Sequence, residues 1–130
     1  MLLPDTLSWI EYAENDYQAS LVLFKLSKPP IEIIAYHYQQ MAEKYLKSYI
    51  IQLEQDYPRT HDLSVLNKML FSYDDDFGSI SEYCERLAPF GTVIRYPDSG
   101  MIIDTSHLTK IQDWAVQIRS FIRAKLGLDA

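Results

Sequence analysis

Tyr38-Gln39-Gln40-Met41-Ala42-Glu43-Lys44-Tyr45-Leu46-Lys47 is the stretch whose reading decides the fold. Apolar groups fall at 34, 38, 41, 42, 45, 46, 49 and 50, close to the 3.6-residue period of an amphipathic helix. The other face carries Gln40, Glu43, Lys44 and Lys47. Tyr36, Gln40, Glu43 and Lys47 form one line at steps of four, three and four, with Lys44 beside Gln40. Such a face is either solvated surface or one wall of a polar site. Glu43 and Lys47 are an i,i+4 pair in the favourable order, worth about 0.3–0.5 kcal/mol if exposed.

Working outward, the pattern predicts a helix over 31–54. Pro29-Pro30 in front of it stops the helix before. That first helix is expected over 5–27, with Pro4 as breaker and Asp5 as N-cap. Its apolar stripe is Leu7, Ile10, Ala13, Tyr17, Leu21 and Phe24, and Lys25 and Lys28 complement the dipole at its end. After the connector Tyr57-Pro58-Arg59, Thr60 is the expected N-cap of a third helix over 61–71, with Asp62 in its first turn. Asp74-Asp75-Asp76 reads as a solvated, helix-capping turn. A fourth helix over 79–88 opens on Ser79-Ile80-Ser81-Glu82, which has capping-box form, and ends at Pro89 and Gly91. Residues 90–105 form a long loop with Pro97 and Gly100. The last helix, over 106–126, turns Leu108, Ile111, Ala115, Ile118 and Ile122 inward, and Gly127 lies just past its end. Five helices without a strand pattern give an all-α bundle.

The chain has 130 residues, which suits one domain over 1–130. A domain of this size buries roughly two-thirds of its unfolded surface and needs no disulfide or metal staple. The composition, 48% hydrophobic and 23% charged, places it among globular proteins rather than disordered ones. A net charge of −6 excludes a broad DNA-binding surface, because phosphate binding needs clustered Lys and Arg. The single cysteine, Cys84, excludes an internal disulfide, fits a reducing cytoplasm and reads as a small buried hydrophobe. There is no signal-peptide pattern and no apolar run of the roughly 18 residues a membrane span needs, so a soluble cytoplasmic chain is expected.

Glycine-rich phosphate loops and the GxSxG elbow are absent. His37 and His107 have no carboxylate, cysteine or second histidine at metal-binding spacing, so neither a metal nor a cofactor is expected. His61 invites a reactive reading, since imidazole as a group type titrates near neutrality. At a helix start the dipole disfavours its protonated ring, whereas Asp62 favours it. It is either a packing group across the helix start or a reactive one. Arg95, held on a loop by Tyr96-Pro97-Asp98, either grips a phosphate or carboxylate or caps a helix within its own chain. The ten tyrosines read mostly as packing groups whose hydroxyls reach the surface.

Together these segments resemble the HEPN family of small helical domains. Trp9, Ala13, Asp16 and Ala19 are similar to its first-helix pattern of W, A, D and A. Gln39 to Lys47 resembles its QQAAEKALK core, Thr60-His61-Asp62-Leu63 its THDL segment, and Arg95-Tyr96-Pro97-Asp98 its RYPD segment. The resemblance implies an up-and-down bundle of four to five helices, usually a homodimer. Some members are metal-independent ribonucleases that use an R-x4–6-H motif. Here Arg59 meets a histidine only two positions later, and Arg86, Arg95, Arg119 and Arg123 have none at that spacing. The resemblance therefore favours a non-catalytic member, a companion of a minimal nucleotidyltransferase that helps hold a nucleotide or other substrate in a toxin–antitoxin-like pair. The ligand-binding residues it implies are Gln40, Glu43, Lys44, Lys47, His61, Asp62, Arg95 and Tyr96. A ribonuclease with a non-standard site and a purely structural interaction module are the alternatives.

Overall fold

A computed structural model of the chain describes residues 1–91 and 103–130. Among these residues there are five α-helices and no strand: α1 (Pro4–Phe24), α2 (Ile31–Gln52), α3 (Leu63–Phe71), α4 (Ser81–Leu87) and α5 (Thr105–Lys125). Short 3-10 segments precede and follow α4, over Asp75–Ile80 and Ala88–Gly91. The all-α bundle expected from the periodicity is the fold.

The ends of α1 and α2 show how they run. At one end Thr6 Oγ1 and the Leu3 amide both donate to Gln52 Oε1, at 2.9 and 3.0 Å. At the other, Ser20 Oγ donates to the Ile34 carbonyl. The start of α1 meets the end of α2, so the two are antiparallel. α5 runs along α1 in the opposite sense: Glu14 takes the bidentate Arg119, while Tyr17, later on α1, shares a cleft with the earlier α5 residues Thr109, Gln112 and Val116.

The first helix corrects its expected face. Its buried residues are Thr6, Ile10, Ala13, Asp16 and Ser20, while Leu7 and Phe24 are exposed. Three polar groups turn inward because each finds a partner on α2, and a satisfied polar group can be buried. Pro4 stands at the first helical position and Leu3 is the N-cap, so Asp5 is a first-turn acid rather than a cap. α1 ends at Phe24 and leaves Lys25 as its C-cap, with no basic residue in its last turn.

Two further starts differ. Asp62, not Thr60, caps α3, accepting from the Ser64 amide at 2.9 Å, while Thr60 Oγ1 accepts from the Asp62 amide. The Ser79–Glu82 capping box does not form, because Ser79 lies in the 3-10 turn and its hydroxyl donates to the Asp76 carbonyl. The acidic turn behaves as expected of a cap: Asp74 accepts from the Asp76 amide, and Lys125 reaches both side chains. α5 matches its reading closely. Its five predicted core residues are all buried, and Gly127 follows at φ +76°, with the Gly127 and Leu128 amides returning to the carbonyls of Ala124 and Arg123.

α2 is the central element. Ile34, Ala35, Tyr38, Met41, Ala42, Tyr45, Leu46 and Ile50 join α1, α3, α4 and α5 in one contiguous core. The Tyr45 hydroxyl does not reach the surface; it donates to Glu14 Oε2 at 2.6 Å and accepts from Arg123. Cys84 is fully buried, and burial pushes its thiol up to about 12. No helix of the described residues is long and apolar enough to cross a membrane.

Candidate functional site

The polar residues of α2 are not a solvated face. Glu43 is 3% exposed and Lys47 6%, and Gln39 is fully buried. Lys47 Nζ lies 2.8 Å from Glu43 Oε2, an ion pair inside the bundle rather than on it. The rings of Trp9, from α1, and Tyr57, from the connector after α2, cover the ammonium at 5.7 and 5.0 Å. They meet each other edge to face, with centroids 5.5 Å apart. The pair is thus roofed by aromatic carbon, which explains how a lysine sits so deep.

His61 completes this group from the connector. Its Nδ1 lies 3.2 and 3.1 Å from the two oxygens of Glu43, while its side chain is 64% exposed. Gln39 Nε2 donates to the His61 carbonyl at 3.0 Å and approaches Glu43 Oε1 at 3.4 Å. The Gln39 amide therefore pins the backbone that carries the imidazole. Gln40 Nε2 in turn donates to Gln39 Oε1. Asp62, the acid next to His61 in sequence, is turned toward the Ser64 amide, and the carboxylate on the ring is Glu43, 18 residues earlier.

Beside His61 opens a cleft of about 640 Å³, lined by Thr60, His61, Asp62, Ser64, Glu85, Ala88 and Pro89. Its far wall is the turn after α4. Gly91 in that turn packs on α2 so closely that a Cβ there would stand 2.7 Å from the Gln39 amide. The arrangement is an exposed imidazole, rooted on a buried charge pair, at the mouth of a cleft whose lining mixes polar and apolar groups.

The structure thus brings Gln40, Glu43, Lys47 and His61 into one network and puts Asp62 in the cleft wall. Lys44 goes elsewhere. Its Nζ lies 2.6 Å from Asp16 Oδ2 on α1, and His37 Nδ1 lies 2.8 Å from Asp16 Oδ1. Arg95 and Tyr96 lie outside the described residues. Gln39, Trp9, Tyr57, Asp16 and His37 escaped the sequence reading as site residues. Asp16 carried a signal, an acid three residues after Ala13 on the buried side of α1; Gln39 carried another, four residues before Glu43. Among the described residues no group of three or more His, Cys, Asp or Glu converges to hold a metal ion.

No curated protein and no solved structure matches this chain. The HEPN domain family does, over residues 6–124, from the first turns of α1 almost to the end of α5, and the chain belongs to that family.

Proposed function

We propose that this chain is a non-catalytic HEPN protein whose His61 cleft holds a nucleotide or other small substrate. In this reading it is the accessory subunit of a minimal nucleotidyltransferase in a toxin–antitoxin-like pair, working in the cytoplasm as a homodimer. The observation that carries the reading is the exposed imidazole of His61, anchored on Glu43 beside a 640 Å³ cleft. Glu43 is already paired with Lys47, so a purely structural network has no need of a ring held out toward solvent. The missing R-x4–6-H spacing speaks against a nuclease of the usual kind. Asp62 and Glu85 in the lining, with a net charge of −6, favour a small ligand over a long polyanion. Lys44 and Lys47 are engaged by Asp16 and Glu43, so the cleft does not depend on them.

The test is titration of the purified protein with millimolar adenosine and ATP, following melting temperature and amide resonances. A saturable rise that His61→Ala abolishes supports the reading. No rise and no shifted resonance ends it. Capture of the tagged chain from its native cells tests the partner, and recovery of a small nucleotidyltransferase is the expected result. One observation favours a second reading, a ribonuclease. A carboxylate that orients an imidazole is the arrangement general-base chemistry uses. RNA cleavage by the pure protein that is lost in His61→Ala would decide for it.

A further inference from the structure

We propose that Glu43, paired with Lys47, sets the tautomer of His61, so that Nε2 stands in the cleft as a hydrogen-bond acceptor and the ligand group received there is a hydroxyl or amine donor. The inference rests on the reading of the cleft as the ligand site. A neutral imidazole has one nitrogen that donates and one that accepts. Nδ1 of His61 faces both oxygens of an ion-paired carboxylate, which only accepts, so the proton sits on Nδ1. Nε2 is left with its lone pair. A free imidazole in water favours the opposite tautomer, so the assignment is a property of the fold.

The rest of the lining points the same way. Asp62 and Glu85 add carboxylate acceptors, and Thr60 and Ser64 add hydroxyls that serve either role. A ribose diol or an exocyclic amine offers the donors such a surface asks for. A phosphate dianion does not: its unprotonated oxygens carry lone pairs only, and the carboxylates of Asp62 and Glu85 repel its charge. Glu43 and Lys47 are thus positioning residues, acting on the ligand through His61.

The other two histidines are internal controls. His37 Nδ1 faces Asp16 Oδ1 at 2.8 Å and has the same expected tautomer. His107 Nδ1 instead accepts the Asp104 amide at 3.0 Å, which puts its proton on Nε2. Asp104 Oδ1 also lies 3.1 Å from that nitrogen, but the same oxygen already accepts from the Ser106 and His107 amides.

Long-range proton–nitrogen spectra of the imidazoles, taken above the ordinary histidine titration at about pH 8, read all three at once. The expected result is Nδ1–H for His61 and His37 and Nε2–H for His107. An Nε2–H proton on His61 overturns the proposal. Glu43→Gln, whose amide can turn a donor toward the ring, is expected to move His61 toward the Nε2–H form; if that variant does not fold, the wild-type spectrum still decides. Adenosine and inorganic phosphate are then added separately. Adenosine is expected to shift the Nε2 resonance of His61 and phosphate to leave it unmoved. The reverse pattern overturns the donor assignment. An Nδ1–H ring that neither probe moves upholds the tautomer but removes the ligand-site reading and, with it, the donor assignment.

Discussion

Glu43→Ala tests whether the network is interior. Glu43 and Lys47 are 3% and 6% exposed, so truncating the acid leaves an ammonium buried without its counter-charge. Such truncations cost about 3–5 kcal/mol. One feature holds the loss near the lower end: the rings of Trp9 and Tyr57 still face the ammonium. At about 2.1 cal/mol/K of unfolding entropy per residue, a loss of about 3 kcal/mol lowers the melting temperature by roughly 10 °C in a chain of 130 residues. Urea unfolding followed by circular dichroism gives the free energy, and a thermal scan gives the shift. The double variant Glu43→Leu with Lys47→Met is expected to recover most of the loss, because a buried pair replaced by packed apolar groups is often neutral or better. A loss below about 1 kcal/mol for Glu43→Ala would refute the reasoning, since it is what a screened surface pair gives.

Alkali should unfold the protein through its buried phenols. Burial, with the neighbouring Tyr17, pushes Tyr38 up to about 12, and burial with the Glu14 hydrogen bond does the same for Tyr45. Their folded values are raised, so the stability they contribute is complete below about pH 10 and is lost between there and pH 12. Tyrosinate absorbance should therefore rise for the exposed rings first and for these two only with loss of helix; full ionisation of all ten tyrosines in an intact fold would contradict this. Cys84, pushed up to about 12 by burial, with Glu85 and Asp62 adding to it, should resist thiol reagents until denaturant is added. Rapid labelling in native buffer would place it elsewhere. Gly91→Ala should cost about 1–3 kcal/mol, since the group its Cβ meets at 2.7 Å is the fully buried, hydrogen-bonded amide of Gln39. It should also shift the His61 resonances by displacing the Gln39 amide, and unmoved resonances would show that Gln39 does not hold the connector.

What the sequence revealed depended on how one-sided each helix is. α5 buries one clean stripe, Leu108 to Ile122, and its core could be read directly from the period. α1 could not be read that way. Its inner face holds Thr6, Asp16 and Ser20, whose partners lie on another helix, and periodicity assigns such residues to solvent. α2 posed the harder problem. Glu43 and Lys47 at i,i+4 look the same whether solvated or buried, and Trp9, Tyr57 and His61, remote in sequence, decide the matter. In sequence the acid nearest His61 is the adjacent Asp62; in the fold the ring faces Glu43 instead. The cap geometry of α3 spends the Asp62 carboxylate on Ser64. Segment-level resemblance carried what periodicity missed, for it grouped the Gln39–Lys47 stretch with the Thr60–Leu63 segment before any contact between them was known.

Two triads of carboxylate, lysine and histidine flank α2, and their wiring separates their roles. In the first, Asp16 comes from α1 while His37 and Lys44 come from α2. Each base ties the carboxylate of one helix to the other, one on each oxygen, so this triad is a clamp between α1 and α2. In the second, Glu43 and Lys47 lie on the same helix and satisfy one another without help. The pair's own ion contact joins no two helices, although Trp9 and Tyr57 cover the ammonium, and burying such a pair is costly. What it adds is His61, brought from the connector and held out at the cleft with one nitrogen committed and the other open. The first triad accounts for how the bundle is fastened, and the second for why a buried charge pair stands behind its most accessible imidazole, since among the described histidines His61 has the greatest side-chain exposure.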